Sequence, residues 1–249
     1  MTRPLKLGFY ATPPHECNYL PDRTAITLFA DPRFPKNNRL YSALADCGFR
    51  RSGEHVYIPH CNECHACIPV RIPVAAFRPT RGQLRTRRRN ADVSVRAVDA
   101  IFDQRHFDLY CRYVKHRHAG GGMDSPTQDT YMEFLTSSWS DTTFYEFSIG
   151  ERLLAVSVAD QMHDALSAVY TFFDPLEARR SPGRLAILHL VDEARYLDRQ
   201  WIYLGYWIKS CRKMSYKIEY QPLEYFYANA WHDELPADST PGLLPDPAI

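Results

Sequence analysis

The strongest chemical signal in this sequence is a run of three cysteines spaced two residues apart: Cys61, Cys64 and Cys67. Thiols at this spacing can direct their sulfurs at one metal ion from a tight turn. Cys17 lies upstream, and it or a flanking histidine, His60 or His65, would complete a tetrahedral site. The alternative is a set of packed or unused thiols. A disulfide within so short a turn would be strained, so the run favours a metal site.

The cysteine count also bears on the compartment. The chain has seven cysteines, an odd number, and its first ten residues are polar and lack the apolar core of a signal peptide. Without secretion cues, such clusters are typical of a reducing compartment. No stretch approaches the roughly 20 apolar residues of a membrane-spanning helix. We therefore expect a soluble, cytoplasmic protein with no membrane partner.

Charge is distributed unevenly along the chain. The net charge of +1 over 249 residues favours no particular partner, but eight arginines and one acid lie between residues 71 and 96. Such a stretch suits a nucleic-acid phosphate backbone, whose binding is mainly electrostatic, and a solvated linker is the alternative. The arginines predicted to contact phosphates are Arg78, Arg81, Arg85, Arg87, Arg88 and Arg89.

The first segment, residues 1–75, is predicted to be a small cysteine-bearing domain. Its pattern indicates a strand at Ala25–Phe29, a helix at Asn38–Asp46 stopped by Gly48, and a strand at Val56–Ile58. A unit this small benefits from a metal that links its loops. Residues 76–97 are predicted to be an arginine-rich connector that carries one strand, Val93–Val98.

The second segment, residues 98–234, is predicted to mix helices with paired strands. A helix at Phe102–His118 is followed by one with Ser125 as its N-cap, and another helix opens at Ser181–Arg184. The predicted strands are Thr143–Ile149, Leu153–Ala159, Ala165–Phe173, Trp201–Tyr206 and Tyr216–Tyr220. The tail, residues 235–249, has four prolines, a composition that indicates disorder. This order indicates an α+β fold with a GNAT-like acyltransferase core, in which two central strands splay apart.

Several longer strings, taken together, resemble one family. They are Cys17–Pro21, Gly48–Gly53, Cys61–Arg71, Tyr170–Pro175 and Tyr203–Lys217. In these strings and their order the chain resembles the aminoacyl-tRNA–protein transferases, the group of the arginyltransferases. Its length and its C-x-x-C-x-x-C form are more similar to the bacterial leucyltransferase branch. The resemblance covers roughly Thr12 to Tyr227.

The resemblance implies a reaction and its partners. An amino acid esterified to tRNA, leucine or alternatively arginine, passes to the α-amine of a protein that begins with Asp or Glu and makes a destabilising N-terminus. Eukaryotic members have a separated C-x-x-C and a Cys-Cys pair, whereas this chain has a lone Cys17 and three later cysteines. Zinc and an iron–sulfur cluster therefore both remain as candidates. An alternative from another class is a non-catalytic, zinc-dependent nucleic-acid-binding protein.

The chemistry itself requires no cofactor and no covalent intermediate. An aminoacyl ester is already activated, and an α-amine with a pKa of about 7.7–8.0 is partly neutral at pH 7. Alignment of the amine with the ester can supply most of the rate, through effective molarities up to ~10⁵–10⁸ M. The absence of a recognisable Ser-His-Asp arrangement is therefore expected.

Candidate site residues follow from these requirements. Tyr170 and Asp174 are the predicted catalytic residues, with Asp174 holding the α-ammonium and accepting its proton. An acidic acceptor side chain needs cations, and guanidinium pairs bidentately with carboxylate. Helix N-terminal amides near Ser181 would contact the terminal adenosine of the tRNA. The predicted substrate-binding residues are Arg50, Arg51, Ser181, Arg184, Lys209, Arg212, Lys213 and Lys217. The alternatives are solvated charges, a turn at Asp174 and a plain serine cap.

Overall fold

Two sheets of unequal size and a short strand pair make up the β structure of the computed structural model, which describes residues 6–117 and 126–236. The four-stranded sheet has the order β1 (Phe9–Ala11), β4 (Thr27–Ala30), β6 (His55–Pro59) and β5 (Arg50–Ser52). The strand pair is β2 (His15–Glu16) with β3 (Thr24–Ala25).

The larger sheet has eight strands. In spatial order they are β14 (Ala230–His232), β13 (Glu224–Tyr227), β7 (Ile68–Pro73), β12 (Trp201–Trp207), β11 (Ala165–Phe173), β10 (Arg152–Gln161), β9 (Asp141–Ile149) and β8 (Ser94–Asp99). The helices are α1 (Asn38–Asp46), α2 (Arg81–Arg89), α3 (Gln104–Arg117), α4 (Gln128–Leu135), α5 (Pro182–Tyr196) and α6 (Arg212–Ser215). Short 3-10 helices span Pro175–Arg180 and Tyr216–Glu219.

Helices cover both faces of the large sheet. On one face α5 buries Ile187, Leu190, Val191 and Ala194, the residues whose helical spacing predicts this helix. On the other face, residues of α3 and α4 pack against β10 and β11. Because helices segregate to the faces of a mainly antiparallel sheet, the predicted α+β class is confirmed.

The central strands β11 and β12 separate, as expected for a GNAT-like core. They pair in parallel only from Ala165 to Ser167, opposite Trp201 to Tyr203. Beyond Ser167, β11 remains paired with β10, and β12 remains paired with β7 as far as Trp207. The facing edges of β11 and β12 are therefore unpaired with each other over most of their length. We call the gap between these two edges the cleft.

The predicted division at residue 75 runs through this sheet. Strand β7 belongs to the first segment, yet it lies between β12 and β13 of the second. The stretch predicted as a connector contains α2, which begins with a capping box at Thr80 and Gln83, and β8, which pairs with β9. The arginine-rich stretch is thus largely regular structure rather than linker.

Several predicted elements differ from the structure. Tyr216–Tyr220 is not a strand, because side-chain bonds from Trp207 to the Ser215 carbonyl and from Lys217 to the Tyr206 carbonyl fold this segment back over β12. Ala25–Phe29 is interrupted at Ile26, whose N–H lies 3.5 Å from the Cys61 sulfur.

The predicted start of the helix after α3 is also corrected. The N-cap of α4 is Thr127, whose hydroxyl accepts the Thr130 N–H, while Ser125 lies outside the described residues. The predicted disordered tail lies outside them too, except for its first two residues. Within residues 6–117 and 126–236, no helix is both long and apolar enough to cross a membrane.

Candidate active site at the splayed strands

Arg50 lies where β11 and β12 separate. Its Nη2 donates to the Ala168 carbonyl of β11 at 2.9 Å, and its Nη1 lies 3.5 Å from the Tyr203 carbonyl of β12. Ala168 is the first residue of β11 beyond the paired stretch and Tyr203 is the last paired residue of β12, so one guanidinium bridges the two strands at the point where they part. Two of its five N–H groups are used in this way. Among the described residues, Arg50 forms no ion pair with a carboxylate.

The chain reaches this position through a sharp turn. α1 ends at Asp46, and Gly48 has φ +84, a left-handed conformation that favours glycine. Strand β5 then starts at Arg50 and pairs with β6. Gly48–Gly53, one of the strings that carry the family resemblance, is therefore the segment that delivers Arg50 to the cleft.

Lys217 lies further along the same opening. Tyr206 of β12 is opposite Pro69 of β7. Because proline has no N–H, the carbonyl of Tyr206 is free to accept from another donor. The Nζ of Lys217 donates to that carbonyl and lies 3.6 Å from the Met214 sulfur. The residue is 5% exposed. Burial, and secondarily the charge of Arg50, lowers the pKa of Lys217 to about 7.

Arg51 does not reach the cleft. It forms a bidentate ion pair with Asp160, at 2.7 Å for both contacts, and both side chains are 0% exposed. Its Nη2 also donates to the Leu135 carbonyl at 2.9 Å. Alternation along β5 explains the difference, since neighbouring residues of a strand point to opposite faces. The geometry argues against the predicted substrate-binding role and makes Arg51 a structural residue.

The predicted catalytic pair is engaged elsewhere. Asp174 accepts the Leu176 N–H at 3.1 Å as the N-cap of a 3-10 helix and lies 3.4 Å from Arg152. Tyr170 packs edge-on against Phe134 and Tyr113, and its buried hydroxyl has no partner among the described residues. Burial raises the pKa of Tyr170. A turn at Asp174 and core packing of Tyr170 account for these two residues better than proton transfer does.

The remaining predicted substrate contacts are spread over the surface. Ser181 has φ +57 and its side chain makes no capping bond to α5, so it is not the plain serine cap considered as an alternative. Arg184 pairs with Glu219. Lys209, Arg212 and Lys213 are exposed around α6, next to the segment that carries Lys217.

The arginines of α2 divide into two groups. Arg81, Arg85 and Arg88 are exposed and lie on one stripe of the helix, at positions i, i+4 and i+7. By contrast, Arg87 pairs with Asp192 at 2.8 Å and Arg89 donates to the Arg179 carbonyl. Arg78, before the helix, donates to the Ala75 and Phe77 carbonyls at 2.8 Å.

The cysteines lie beside the cleft. Cys17, Cys61 and Cys67 line a pocket of about 330 Å³ together with Tyr19 and Tyr57. Burial, reinforced by the neighbouring thiols of Cys61, Cys17 and Cys64, raises the pKa of Cys67 to about 12. All of these cysteines are free thiols.

Four neighbouring thiols are a suitable donor set for zinc or an iron–sulfur cluster. Their spacing is wider than a bound ion requires. Among the described residues, the one group of three or more candidate ligands with all ligand atoms within 4.8 Å of one another is Asp103, His106 and Glu146. That group is an ion-pair network, because Arg96 and Arg105 both contact Glu146, at 2.7 and 3.0 Å.

Two residues that shape this site are absent from the sequence-based predictions. Asp160, in an otherwise apolar strand, neutralises Arg51, and a buried acid in such a pattern is itself a signal for a buried partner. Gly205 interrupts the aromatic strand β12 at a register shift, and a glycine inside a strand often marks a close backbone approach.

Comparison with known proteins gives the family. The family model of the arginine-tRNA-protein transferase N terminus matches residues 15–85, and that of the C terminus matches residues 105–227. Aspartate/glutamate leucyltransferases of Pseudomonas fluorescens (strain Pf0-1) and Pseudomonas syringae pv. tomato are each 50% identical over 231 residues, which cover 93% of this chain and 98% of each relative. The crystal structure of FemX aligns at 8% identity with a TM-score of 0.47, over 79% of this chain and 68% of that one, a similarity that supports no inference. The matches over both halves confirm the resemblance seen in the sequence: the chain belongs to the arginine-tRNA-protein transferase family.

Proposed function

We propose that this protein transfers leucine from Leu-tRNA to the α-amine of proteins whose first residue is Asp or Glu. The names of relatives at 50% identity support leucine and the acidic acceptors. The structural observation that carries the proposal is the position of Arg50. A half-buried cation with unused donors lies between the splayed strands, where an acidic side chain would meet it.

Arg50 is the group we assign to the acceptor carboxylate. A guanidinium pairs with a carboxylate through two parallel N–H bonds, which favours Asp or Glu over their amides. Its bonds to the Ala168 and Tyr203 carbonyls hold the group in place, so little side-chain entropy is lost on binding. A side chain already ordered by the fold is suited to set specificity.

The reaction then depends on alignment. With the acidic side chain on Arg50, the free α-amine is held beside the carbonyl carbon of the aminoacyl ester. The nitrogen–carbon bond forms and the bond to the ribose oxygen breaks, without a protein nucleophile. The absence of a free carboxylate at Asp174 is compatible with this reaction, which needs positioning more than covalent chemistry.

We assign tRNA contacts to the exposed stripe of α2. Arg81, Arg85 and Arg88 are oriented to solvent, so their charges are available to phosphates. Arg87 and Arg89 are held by Asp192 and by the Arg179 carbonyl, which ties α2 to neighbouring elements. Arg78 is bonded to the local backbone and retains exposed donors.

We also propose a metal on the cysteines. Zinc or an iron–sulfur cluster held by Cys17, Cys61, Cys64 and Cys67 would cross-link two loops whose contacts include that of the Ile26 N–H with the Cys61 sulfur. When bound, the metal would supply structural cross-linking, and the transfer step needs nothing from it. Contraction of the four thiols around the ion is required for binding.

Arginine transfer is the second candidate, because the two family models that match the two halves of the chain are both named for arginine. The two donors differ in what their pocket must offer: a carboxylate for arginine and apolar groups for leucine. A non-catalytic nucleic-acid-binding protein is the remaining alternative.

The experiment presents labelled Leu-tRNA or Arg-tRNA with peptides that begin with Asp, Glu, Asn or Ala. We expect label from Leu-tRNA on the Asp and Glu peptides alone. Arg50→Gln should lower kcat/KM for the Asp peptide by the equivalent of roughly 2–5 kcal/mol, the usual loss when one partner of a buried charge pair is removed. Its selectivity for Asp over Asn should collapse as well.

Arg39→Gln, which removes an exposed arginine of α1, is the matched control and should transfer normally. Label that comes from Arg-tRNA alone would show that the transferred amino acid is arginine and not leucine. If neither donor gives label, the non-catalytic nucleic-acid-binding protein is the one candidate that remains. Full selectivity for Asp over Asn in Arg50→Gln would show that Arg50 does not recognise the acceptor.

A further inference from the structure

The proposed transfer releases a proton that needs an acceptor. When the amine nitrogen bonds to the ester carbon it becomes positively charged, and it must lose a proton before the amide is complete. Asp174, the acceptor expected from the sequence, is held by Arg152 and the Leu176 N–H. Other carboxyl groups on elements near the cleft also hold arginines: Asp46 with Arg71, Asp160 with Arg51, and Glu219 with Arg184.

Lys217 stands on the open edge of β12. Its Nζ donates to the carbonyl of Tyr206, three residues beyond the Tyr203 carbonyl that faces Arg50. Residues 203 and 206 are on opposite sides of a register shift in the pairing with β7, so both carbonyls are directed to the opening rather than to β7. Lys217 is nearly buried, and among the described residues it contacts no carboxylate.

The surroundings of Lys217 favour a neutral amine. Burial and the guanidinium of Arg50 lower the pKa of Lys217 to about 7, while the thiols of Cys211 and Cys67 oppose this weakly. The ring of Tyr216, whose centroid lies 5.9 Å from Nζ, also opposes this weakly, because ring faces attract cations. The adjoining α6 carries further positive charge, on Arg212 and Lys213. A lysine so placed carries a usable lone pair at neutral pH.

We infer that Lys217 is the proton acceptor of the aminoacyl transfer, an inference that rests on the proposed function. The neutral amine of the acceptor protein attacks the ester carbon, and the new nitrogen–carbon bond leaves a positive charge on nitrogen. Nζ of Lys217 takes one proton from that nitrogen. As the carbon–oxygen bond breaks, the proton passes to the departing ribose oxygen, so the amide and the tRNA hydroxyl are formed and Lys217 returns to its neutral state.

The test compares wild type with Lys217→Arg, which keeps a donor for the Tyr206 carbonyl but has no accessible neutral form. The value of kcat/KM is measured from pH 5.5 to 8.5 with Leu-tRNA and an Asp-starting peptide. Both the α-amine and Lys217 must be neutral in wild type, so log kcat/KM should rise with a slope of two at the acid end. In Lys217→Arg the slope should be one, with the rate at pH 7.5 lowered ~10²-fold or more.

Lys115→Arg, the same change on an exposed lysine of α3, should retain the wild-type slope. Folding of each variant is checked by circular dichroism, and a direct readout is ¹⁵N NMR of the lysine side chains, with the Lys217 signal identified by its loss in Lys217→Arg. That signal should titrate near neutral pH.

A slope of two in folded Lys217→Arg, or a Lys217 signal that titrates above pH 9, would overturn the inference and leave the transferase assignment intact. Failure of wild type to transfer from either aminoacyl-tRNA would overturn the proposed function and the role of Lys217 together.

Discussion

The guanidinium of Arg50 lies directly against the backbone of Gly205. A Cβ at residue 205 would be 2.8 Å from Cζ of Arg50 and 3.0 Å from its Nε, closer than real side chains approach. Gly205 also has φ +78, a conformation that side-chain-bearing residues rarely adopt. The bulge in β12 and the cation of the cleft therefore depend on the same glycine.

Gly205→Ala should displace Arg50 and disable the cleft. Because both steric contact and φ oppose the new methyl group, we expect a loss of about 1–3 kcal/mol in the free energy of unfolding. The Asp-peptide kcat/KM should fall as far as in Arg50→Gln. Urea unfolding and the transfer assay measure the two effects. Gly150→Ala, at a turn with φ +58 but open space around the Cβ, controls for the backbone effect, and equal activity in the two variants would contradict the steric argument.

The buried pair of Arg51 and Asp160 predicts a large stability effect. Asp160→Asn leaves a guanidinium without its counter-ion in a site of 0% exposure, which should cost about 3–5 kcal/mol of unfolding free energy. Asp92→Asn, which breaks the more exposed pair with Arg180, should cost far less, because solvent screens that pair. Urea unfolding compares the variants, and similar losses in both would show that burial does not govern the pair.

Lys217 predicts a specific pH dependence of stability. Its folded-state pKa is lowered to about 7 from an ordinary value of 10.5, so between these values the unfolded chain binds one more proton than the folded chain. The cost of burying this group is therefore full below about pH 7 and declines as pH rises through that window, by up to about 1.4 kcal/mol per pH unit, so stability rises with pH there.

The measurement is urea unfolding of wild type and Lys217→Met at pH 6, 7, 8 and 9. The wild-type free energy of unfolding should increase relative to Lys217→Met as pH rises above 7. Lys115→Met provides the comparison at an exposed site. Parallel curves for wild type and Lys217→Met would mean that Lys217 keeps an ordinary pKa.

The exposed stripe of α2 predicts a change in salt dependence. The triple variant Arg81→Ala, Arg85→Ala, Arg88→Ala should bind tRNA more weakly, and the slope of log affinity against log salt should fall by about 0.7–0.9 for each phosphate that is no longer neutralised. Arg87→Ala with Arg89→Ala should act mainly on stability, because these side chains contact protein groups. Arg33→Ala, in the small N-terminal sheet region, is the control. An unaltered slope in the triple variant would place tRNA elsewhere.

The cysteine site predicts a bound metal. Protein purified without oxygen should contain zinc or iron, and Cys64→Ser should reduce the content and lower thermal stability. Cys111→Ser, in α3 and outside the cluster, should leave both unchanged. Metal content that survives removal of all four cysteines would refute the site.

Local structure followed closely from the sequence. Helix α1 spans Asn38–Asp46 as predicted, because its N-cap and stop signals are local. Strands β9, β10 and β11 agree with the prediction to within two residues, since their patterning and the turn at Gly150 are also local. The family strings pointed to the correct family, and Gly48–Gly53, whose arginines are predicted to bind substrate, is the segment that brings Arg50 to the splayed strands.

Tertiary structure alone decided what the individual charges do. Arg50 and Arg51 are adjacent and chemically identical, yet strand alternation places one in the cleft and the other in a buried ion pair. Asp174 forms an ion pair with Arg152. The segment that carries Lys217 is a 3-10 helix that folds onto an open strand edge. A charge acquires its role from partners distant in sequence and from the water it loses on burial, and neither quantity is encoded in its local pattern.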